Sequence, residues 1–353
     1  MVGAGTGARS VATRVAAVVA LAGAMVAVDP ATAGACACGA FVANDKLRAQ
    51  QETALVEVTG RTESITLSVQ ARSEATQAAF LMPVPARARF EVADGELFAE
   101  LDRISRPDVE VRRVTVHGDG AGAPPGAGRG ATVVDHVEIG PYDVAQLAGT
   151  DATAVTRWLG DNDFTLPAAL DGALRPYLAE GWFVVAVRLA PTSGSLADGL
   201  PPMRLAFETD APVYPMRLSA TAQESQPLRL YVLADHRMDI SNPAPTGGTP
   251  DLTFAGEVKP DPGYPVLSAS LAGQRFLTRY DGEFSPARIT DDIRITRAAT
   301  DDPYRAVVTV TEYVRSPWPT PALPLILVAL LGSILVAGVI VTVRRRRSAG
   351  LDR

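Results

Sequence analysis

The sequence predicts an α+β fold in which antiparallel sheet predominates, with short helices inserted and one transmembrane helix at the C-terminal end. Three observations carry this prediction. Short runs of alternating apolar and polar residues recur between Leu55 and Val314, as half-buried strands require. A few segments between these runs switch to helical spacing. Finally, residues 323–343 form one long uncharged apolar run.

The N-terminal half begins with strand patterns. The stretch TALVEVTGRTESITLSVQA predicts a β-hairpin that turns at Gly60, and QAAFLMPVP predicts a third strand that its prolines stop. In DGELFAELDRIS the apolar spacing becomes helical, with Asp94 as the cap and Pro107 beyond the end. The stretch VEVRRVTVH returns to strand.

The C-terminal half is predicted to hold two helices and then mostly strands. Residues 118–130 are rich in Gly, Pro and Ala and predict a flexible loop, after which TVVDHVEI reads as a strand. Asp151 is predicted to cap one helix, and Gly181 to end another near 167–179. The later predicted strands are WFVVAVRL, MRLAFET, VYPMRLSA, LRLYVLA, DIRITRA and YRAVVTVTEYV.

The N-terminal segment has the pattern of a signal peptide. Basic residues precede an uncharged run, 15–28, which is too short to span a bilayer comfortably. Small residues at Ala31 and Ala33 fit cleavage after Ala33, with Ala35 as the alternative, whereas an uncleaved anchor helix is the rival interpretation. We therefore expect residues 1–33 to be a signal peptide.

The C-terminal segment has the pattern of a membrane anchor. Residues 323–343 would be about 31 Å long as a helix, which matches a hydrocarbon core. Four arginines follow at once, and positive charge marks the cytoplasmic side. We expect an extracytoplasmic domain over 36–315, a Pro-rich linker over 316–322 and a basic cytoplasmic tail over 344–353, in a single-pass cell-membrane protein with its N-terminus outside.

The charge distribution argues against nucleic-acid partners. The net charge is −6, and removing the contributions of the two termini leaves −11 on residues 36–343. An acidic surface of this kind repels polyanions. The expected partners are therefore the membrane, through residues 323–343, and an extracytoplasmic protein or another envelope component.

Cys36 and Cys38 are the only cysteines and have one residue between them. Lipidation is disfavoured because Ala33 stands where a lipobox has leucine, and a metal would need more ligands than two thiolates. Outside the cytoplasm thiols oxidise, so we predict a Cys36–Cys38 disulfide, strained and easily reduced. An intermolecular bridge is the next alternative.

The chemistry-bearing residues form no recognisable catalytic motif. Asp235, His236, Arg237 and Asp239 crowd the end of an apolar strand and are candidates for a polar site, although a charged strand end is the plainer interpretation. The stretch LGDNDF resembles part of a calcium loop but equally suits a helix C-terminal turn. The sequence predicts no catalytic residue, metal ligand or cofactor.

Several stretches together resemble the bacterial family called domain of unknown function 2330. They include CGAFVA, AAFLMPVP, WLGDNDF, YLAEGWFVVAVRL and VYPMRLSA, within residues 36–314. The resemblance implies an exported protein, commonly with a C-terminal anchor, and it implies no catalytic residues.

Two classes of function are therefore expected. The first is a non-enzymatic, membrane-tethered ectodomain that binds a partner or an envelope component. The second is an envelope hydrolase that uses scattered Asp, Glu and His residues. A pocket that contains a carboxylate or histidine with a perturbed pKa would favour the hydrolase, and a shallow uncharged β face would favour the binding domain.

Overall fold

The structure is a computed structural model of the 353-residue chain. It describes residues 32–45, 47–73, 75–116, 142–189, 201–271, 276–315 and 322–348. All of these belong to one compact unit, Ala31–Arg353. The predicted signal peptide therefore lies almost wholly outside the described residues, as do the predicted loop over 118–130 and the predicted strand over 132–139.

The described residues form eighteen strands and five α-helices. The strands of the first half are β1 (Thr32–Cys36), β2 (Gly39–Ala43), β3 (Leu47–Thr59), β4 (Thr62–Ser73), β5 (Ala78–Val84), β6 (Arg89–Val92), β7 (Asp108–Val116), β8 (Tyr142–Leu147) and β9 (Phe183–Leu189). The later strands are β10 (Met203–Glu208), β11 (Val213–Tyr214), β12 (Gln226–Ala234), β13 (Met238–Ile240), β14 (Asp251–Glu257), β15 (Phe276–Phe284), β16 (Ile293–Arg297), β17 (Tyr304–Arg305) and β18 (Val307–Arg315). The helices are α1 (Leu97–Ile104), α2 (Thr153–Asp161), α3 (Ala168–Ala179), α4 (Pro265–Ser270) and α5 (Ala322–Ser348).

The strands form four sheets. A five-stranded sheet has the order β1-β2-β5-β9-β8, and an eight-stranded sheet has the order β17-β14-β15-β12-β3-β4-β10-β6. Smaller sheets are formed by β11-β16-β13 and by β18-β7. The described pairings are antiparallel except for β3 with β12 and β7 with β18. The predicted α+β class with a predominance of antiparallel sheet is confirmed.

The two large sheets pack face to face and carry helices on their outer faces. The core between the sheets contains Phe41 and Phe80 from the five-stranded sheet and Val56 from the eight-stranded one. Alternate residues of β2, β5 and β9 face the other way and pack on α2 and α3. Alternate residues of β3, β12 and β15 likewise pack on α1 and α4. The result is four layers, helix, sheet, sheet and helix.

Most of the predicted elements are present. The predicted hairpin is β3–β4, and Gly60 has the positive φ of 60° that its tight turn requires. The predicted first helix is α1, but its N-cap is Glu96, and the predicted cap Asp94 instead accepts a hydrogen bond from the N–H of Glu96 (2.9 Å) before the helix begins. Likewise the N-cap of α2 is Ala152, and Asp151 accepts from the N–H of Thr153 (2.9 Å), whereas Gly181 follows α3 as predicted, with a φ of 81°.

Two strand predictions need correction. VYPMRLSA is strand only at Val213 and Tyr214, because the N–H groups of Met216 and Arg217 bond to the Asp292 carboxylate and a 3₁₀-helix, Arg217–Thr221, follows. Pro83 does not end the predicted third strand, because β5 continues to Val84. The proline is tolerated there because the pairing with β2 ends before it.

The C-terminal helix α5 has 27 residues. Its window Leu327–Arg344 has a mean hydropathy of 2.3, and none of it is buried against the rest of the protein. Within the described part of the chain it is the one helix long and apolar enough to cross a membrane.

Candidate functional site

The two cysteines lie in a tight turn inside the core. Cys36 ends β1, Cys38 lies in the turn, and Gly39 begins β2 opposite Cys36. Both cysteine side chains are completely buried. The turn packs closely against β5, since a Cβ atom on Gly39 would lie 2.5 Å from the carbonyl oxygen of Leu81. Only glycine allows the backbone to approach this closely.

Glu52 and Tyr214 complete a buried polar cluster with the cysteines. Glu52 lies on β3 with its side chain in the core between the two large sheets, and one ligand atom from each of Cys36, Cys38 and Glu52 lies within 4.8 Å of the others. The hydroxyl group of Tyr214, on β11, donates a hydrogen bond to Glu52 Oε1. Glu52 Oε2 is buried and accepts no hydrogen bond. We call these four residues the thiol–carboxyl cluster.

Burial dominates the ionisation of the thiol–carboxyl cluster. It raises the pKa of Cys36 and, further, that of Cys38, because a thiolate loses its hydration there. Burial also raises the pKa of Glu52, although contacts with the Tyr214 hydroxyl and the two thiols oppose it. The pKa of Tyr214 is raised well above its ordinary value for the same reason. Burial thus keeps both thiols protonated and disfavours the charged form of the Glu52 carboxyl group.

The backbone of the cysteine turn is held by a neighbouring element. The hydroxyl group of Ser219, in the 3₁₀-helix, donates a hydrogen bond to the carbonyl oxygen of Cys36. Ser219 and Tyr214 are five residues apart in sequence, on either side of Pro215. One short segment thus positions both the cysteine turn and the hydroxyl group that bonds Glu52.

A second buried network centres on Asp292. Its Oδ1 accepts hydrogen bonds from the backbone N–H groups of Met216 (2.7 Å) and Arg217 (3.0 Å) and from the hydroxyl group of Tyr177. The Arg217 side chain bonds Asp292 Oδ2 through Nε (2.9 Å) and Glu180 through Nη1 (2.7 Å). Its guanidinium carbon lies 3.9 Å from the centre of the Tyr177 ring. The hydrogen-bonding capacity of Asp292 is used within the protein, which indicates a structural role.

An open groove of about 610 Å³ lies between the eight-stranded sheet and the helices α1 and α4. Its polar residues include an ion pair between Glu57 and Arg204, with Glu91 and Asp94 beside it. Burial raises the pKa of Glu57, and the charge of Arg204 opposes the shift. Apolar surface is added by α4, where Ala269 is exposed to solvent.

The four predicted polar-site residues lie at the turn between β12 and β13 and in β13 itself. His236 Nδ1 lies 2.8 Å from Asp301 Oδ2, and both side chains are about 42% exposed. The backbone N–H of Arg237 bonds the same carboxylate (2.9 Å), while Asp239 accepts from Tyr280 (3.3 Å). Asp235 is exposed. The structure brings His236 and Arg237 together around Asp301, and a function for them stays a prediction.

The LGDNDF stretch has the geometry of a helix C-terminal turn. Asp161 ends α2, and Asn162 Nδ2 donates to the carbonyl oxygen of Trp158 (2.8 Å). Asp163 has the positive φ of 64° that Asn and Asp tolerate at such ends.

Sequence reasoning missed Glu52 and the link from Tyr214 to it. A signal was present, because Glu52, Ala54 and Val56 alternate onto one face of β3, and a glutamate on an apolar face calls for a partner. Tyr214 is completely buried. Both cysteines are free thiols here, so the Cys36–Cys38 disulfide stays a prediction.

Comparisons with known proteins give a family and a distant structural likeness. Comparison with curated proteins gave no match. Among solved structures, the crystal structure of baculovirus P35 aligns with a TM-score of 0.39 at 9% identity, over 72% of this chain and 98% of that one. A likeness this weak carries no argument about function. The model of one bacterial family, DUF2330, described as "Uncharacterized protein conserved in bacteria", matches residues 32–296, and the chain therefore belongs to that family.

Proposed function

We propose that this protein is a single-pass, membrane-tethered binding domain of the bacterial cell envelope, without enzymatic activity. The observation that carries the proposal is α5, whose apolar window Leu327–Arg344 is entirely exposed. Apolar surface of this extent is unfavourable in water and is stabilised in a hydrocarbon core.

The orientation follows from the charge around this helix. Arginines 344–347 follow the apolar run directly, and such clusters stay on the cytoplasmic side. In this proposal residues 1–33 direct export, 36–315 form the extracytoplasmic domain, 316–322 are the linker and 344–353 are the cytoplasmic tail. Cleavage after Ala33 would fall within β1 and leave Gly34, Ala35 and Cys36 with their partners on β2.

Protease protection tests this topology. Protease added to intact spheroplasts should digest the domain over 36–315 and spare a tag placed after Arg353, because only the domain is outside. In permeabilised spheroplasts the tag should be lost as well, which controls for its cleavability. Loss of the tag from intact spheroplasts, with the domain protected, would contradict the proposal.

The groove between the eight-stranded sheet and α4 is the surface that we assign to binding. It offers hydroxyl groups, carboxylates and apolar side chains in one open concavity of about 610 Å³, which is within the usual size of ligand sites. An Ala269→Arg substitution would fill it from an exposed position. Ala169 is exposed on α3, at the opposite face of the fold, so Ala169→Arg is the matched control.

Co-sedimentation of the domain over 36–315, without α5, with isolated bacterial cell envelopes measures the binding, because α5 itself would insert into their membranes. The wild-type domain and its Ala169→Arg variant should sediment with the envelopes, and the Ala269→Arg variant should remain in the supernatant. Equal sedimentation of both variants would contradict the assignment to the groove. Failure of the wild-type domain to sediment would contradict the binding function itself.

One observation favours the hydrolase alternative, namely the raised pKa of Glu57 in this groove. The ion pair with Arg204 argues for a structural role of Glu57 instead. A hydrolase would release soluble fragments from the envelopes, and Glu57→Gln would abolish the release. A binding domain would release none.

A further inference from the structure

The thiol–carboxyl cluster poses a problem of charge and hydrogen bonding. Glu52 is 1% exposed, its Oε2 accepts no hydrogen bond, and the groups that contact its carboxyl group, namely the Tyr214 hydroxyl, the two thiols and the N–H of Cys38, are all neutral. A buried polar atom without a partner destabilises the fold, and a buried carboxylate requires a compensating charge. A cation bound beside Glu52 would coordinate its unpartnered oxygen atom and compensate the charge of its carboxylate.

The neighbouring groups are those that bind metal ions. The thiols of Cys36 and Cys38 lie with the Glu52 carboxyl group within 4.8 Å of one another. Around a tetrahedral zinc ion, bonds of about 2.3 Å to sulfur place two sulfur ligands roughly 3.8 Å apart. The three groups therefore need to approach by only about 1 Å to share one ion, a movement that side-chain rotation can supply.

The chemical softness of the donor atoms determines which metal ion the cluster prefers. Thiolates alone would favour Cu(I) as well as zinc, whereas a carboxylate oxygen is a hard donor that Cu(I) binds poorly. Zinc is of intermediate softness and takes sulfur and oxygen ligands together. Calcium and magnesium are disfavoured, because both require oxygen ligands.

The surrounding structure holds these ligands in place. The Tyr214 hydroxyl group orients the Glu52 carboxyl group, as second-layer hydrogen bonds commonly do for metal-binding carboxylates. The Ser219 hydroxyl group holds the backbone at Cys36. The close approach of Gly39 to Leu81 fixes the other end of the turn. The cluster is thus supported from β5, β11 and the 3₁₀-helix.

We propose that Cys36, Cys38 and Glu52 bind one Zn²⁺ ion, with Tyr214 as a positioning residue. A water molecule takes the fourth coordination position. Zn²⁺ displaces one proton from each thiol and is bound by the Glu52 carboxyl group in its ionised form. Three anionic ligands then face a charge of +2, and the cluster retains a net charge of −1.

Metal analysis of the full-length chain in detergent, kept reduced and equilibrated with Zn²⁺, tests the proposal. The wild-type chain should retain about one zinc ion after gel filtration. Cys36→Ser and Cys38→Ser should retain none, and Glu52→Gln should bind more weakly. Tyr214→Phe should keep the stoichiometry with an affinity about 10- to 100-fold lower. Glu100→Gln is the matched control, because Glu100 is also a buried glutamate but lies on α1, and it should bind as the wild type does.

A spectroscopic measurement on the wild-type chain tests the proposal even if the variants do not fold. Co²⁺ bound in place of Zn²⁺ should produce the near-ultraviolet charge-transfer band of thiolate ligands, and Zn²⁺ should then remove it. A folded wild-type chain that retains no zinc, or that binds Co²⁺ without this band, would overturn the proposal. Cysteine variants that bind zinc as tightly as the wild type, or binding of Cu(I) alone, would overturn it too.

Discussion

The hydroxyl group of Tyr214 on β11 donates a hydrogen bond to the carboxyl group of Glu52 on β3, 162 positions earlier in the chain. Both side chains are buried in the core between the two large sheets. This bond joins the short segment after β11 to the eight-stranded sheet, beside the two cysteines.

Tyr214→Phe is expected to destabilise the metal-free chain by about 1–3 kcal/mol, because it removes the hydroxyl group that donates to the buried Glu52 Oε1. Urea unfolding measures the change. Tyr304 is 45% exposed, so Tyr304→Phe is the control and should alter the free energy of unfolding by less than about 0.5 kcal/mol. Equal effects of the two substitutions would contradict the role of this bond.

Glu63 should make the protein less stable as the pH rises. Burial raises the pKa of Glu63 from 4.5 to about 8, and its carboxyl group accepts from the N–H of Val213 (3.1 Å). Between these two pH values the folded chain keeps a proton that the unfolded chain has lost. The free energy of unfolding should therefore fall by up to about 1.4 kcal/mol per pH unit across this window and level off above it.

Glu63→Gln should flatten this dependence, since glutamine resembles the protonated acid and does not ionise. Unfolding by urea at several pH values between 5 and 9 tests it. Glu283 is exposed on β15, so Glu283→Gln should keep the wild-type slope. A wild-type curve that rises with pH over this window would be incompatible with a buried, protonated Glu63.

Asp292→Ala should destabilise the fold by about 3–5 kcal/mol, because Arg217 and two backbone N–H groups would lose their acceptor. The neighbouring Asp291 provides the control, since its side chain is exposed and bonds the N–H of Asp292 (2.8 Å). Asp291→Ala should have an effect of about 1 kcal/mol or less. Thermal or urea unfolding that ranks the two in the opposite order would refute the structural role of Asp292.

Gly39→Ala should destabilise the chain by about 1–3 kcal/mol, since the new methyl group would lie 2.5 Å from the Leu81 carbonyl oxygen and 2.7 Å from the Phe80 ring. In α3 a Cβ atom on Gly172 would meet nothing within 4 Å, so Gly172→Ala should instead stabilise by about 0.5–1 kcal/mol. The two melting temperatures should move in opposite directions. A tolerated Gly39→Ala would mean that the turn is packed less closely against β5.

Local signals predicted much of the fold. The hairpin around Gly60 and the helix α1 follow from periodicity and a turn residue, which act over a few positions. The strand expected at 213–220 breaks after Tyr214 because its backbone bonds to Asp292, which is 76 positions away from Met216. A contact of that range leaves no local pattern in a single sequence.

The candidate site was predictable only in part. The spacing of Cys36 and Cys38 indicates a candidate site at this turn. The strand pairing that brings β1 near β3 and β11 determines which other residues belong to the site. Glu52 could have been noticed as a glutamate on an apolar face. Its position beside the thiols depends on the packing of three sheets, which the alternation of residues along one strand does not specify.

Thiol alkylation of the native, full-length chain, read by mass spectrometry of the peptide that contains Cys36 and Cys38, tests the central claim most directly. With zinc bound, neither thiol should react, because both are buried and coordinated. After chelation and treatment with oxidised glutathione, the predicted disulfide should form: the peptide should lose two hydrogen atoms while the reagent becomes two molecules of reduced glutathione. Full alkylation of both cysteines in the presence of zinc, with no disulfide after chelation and oxidation, would contradict the account.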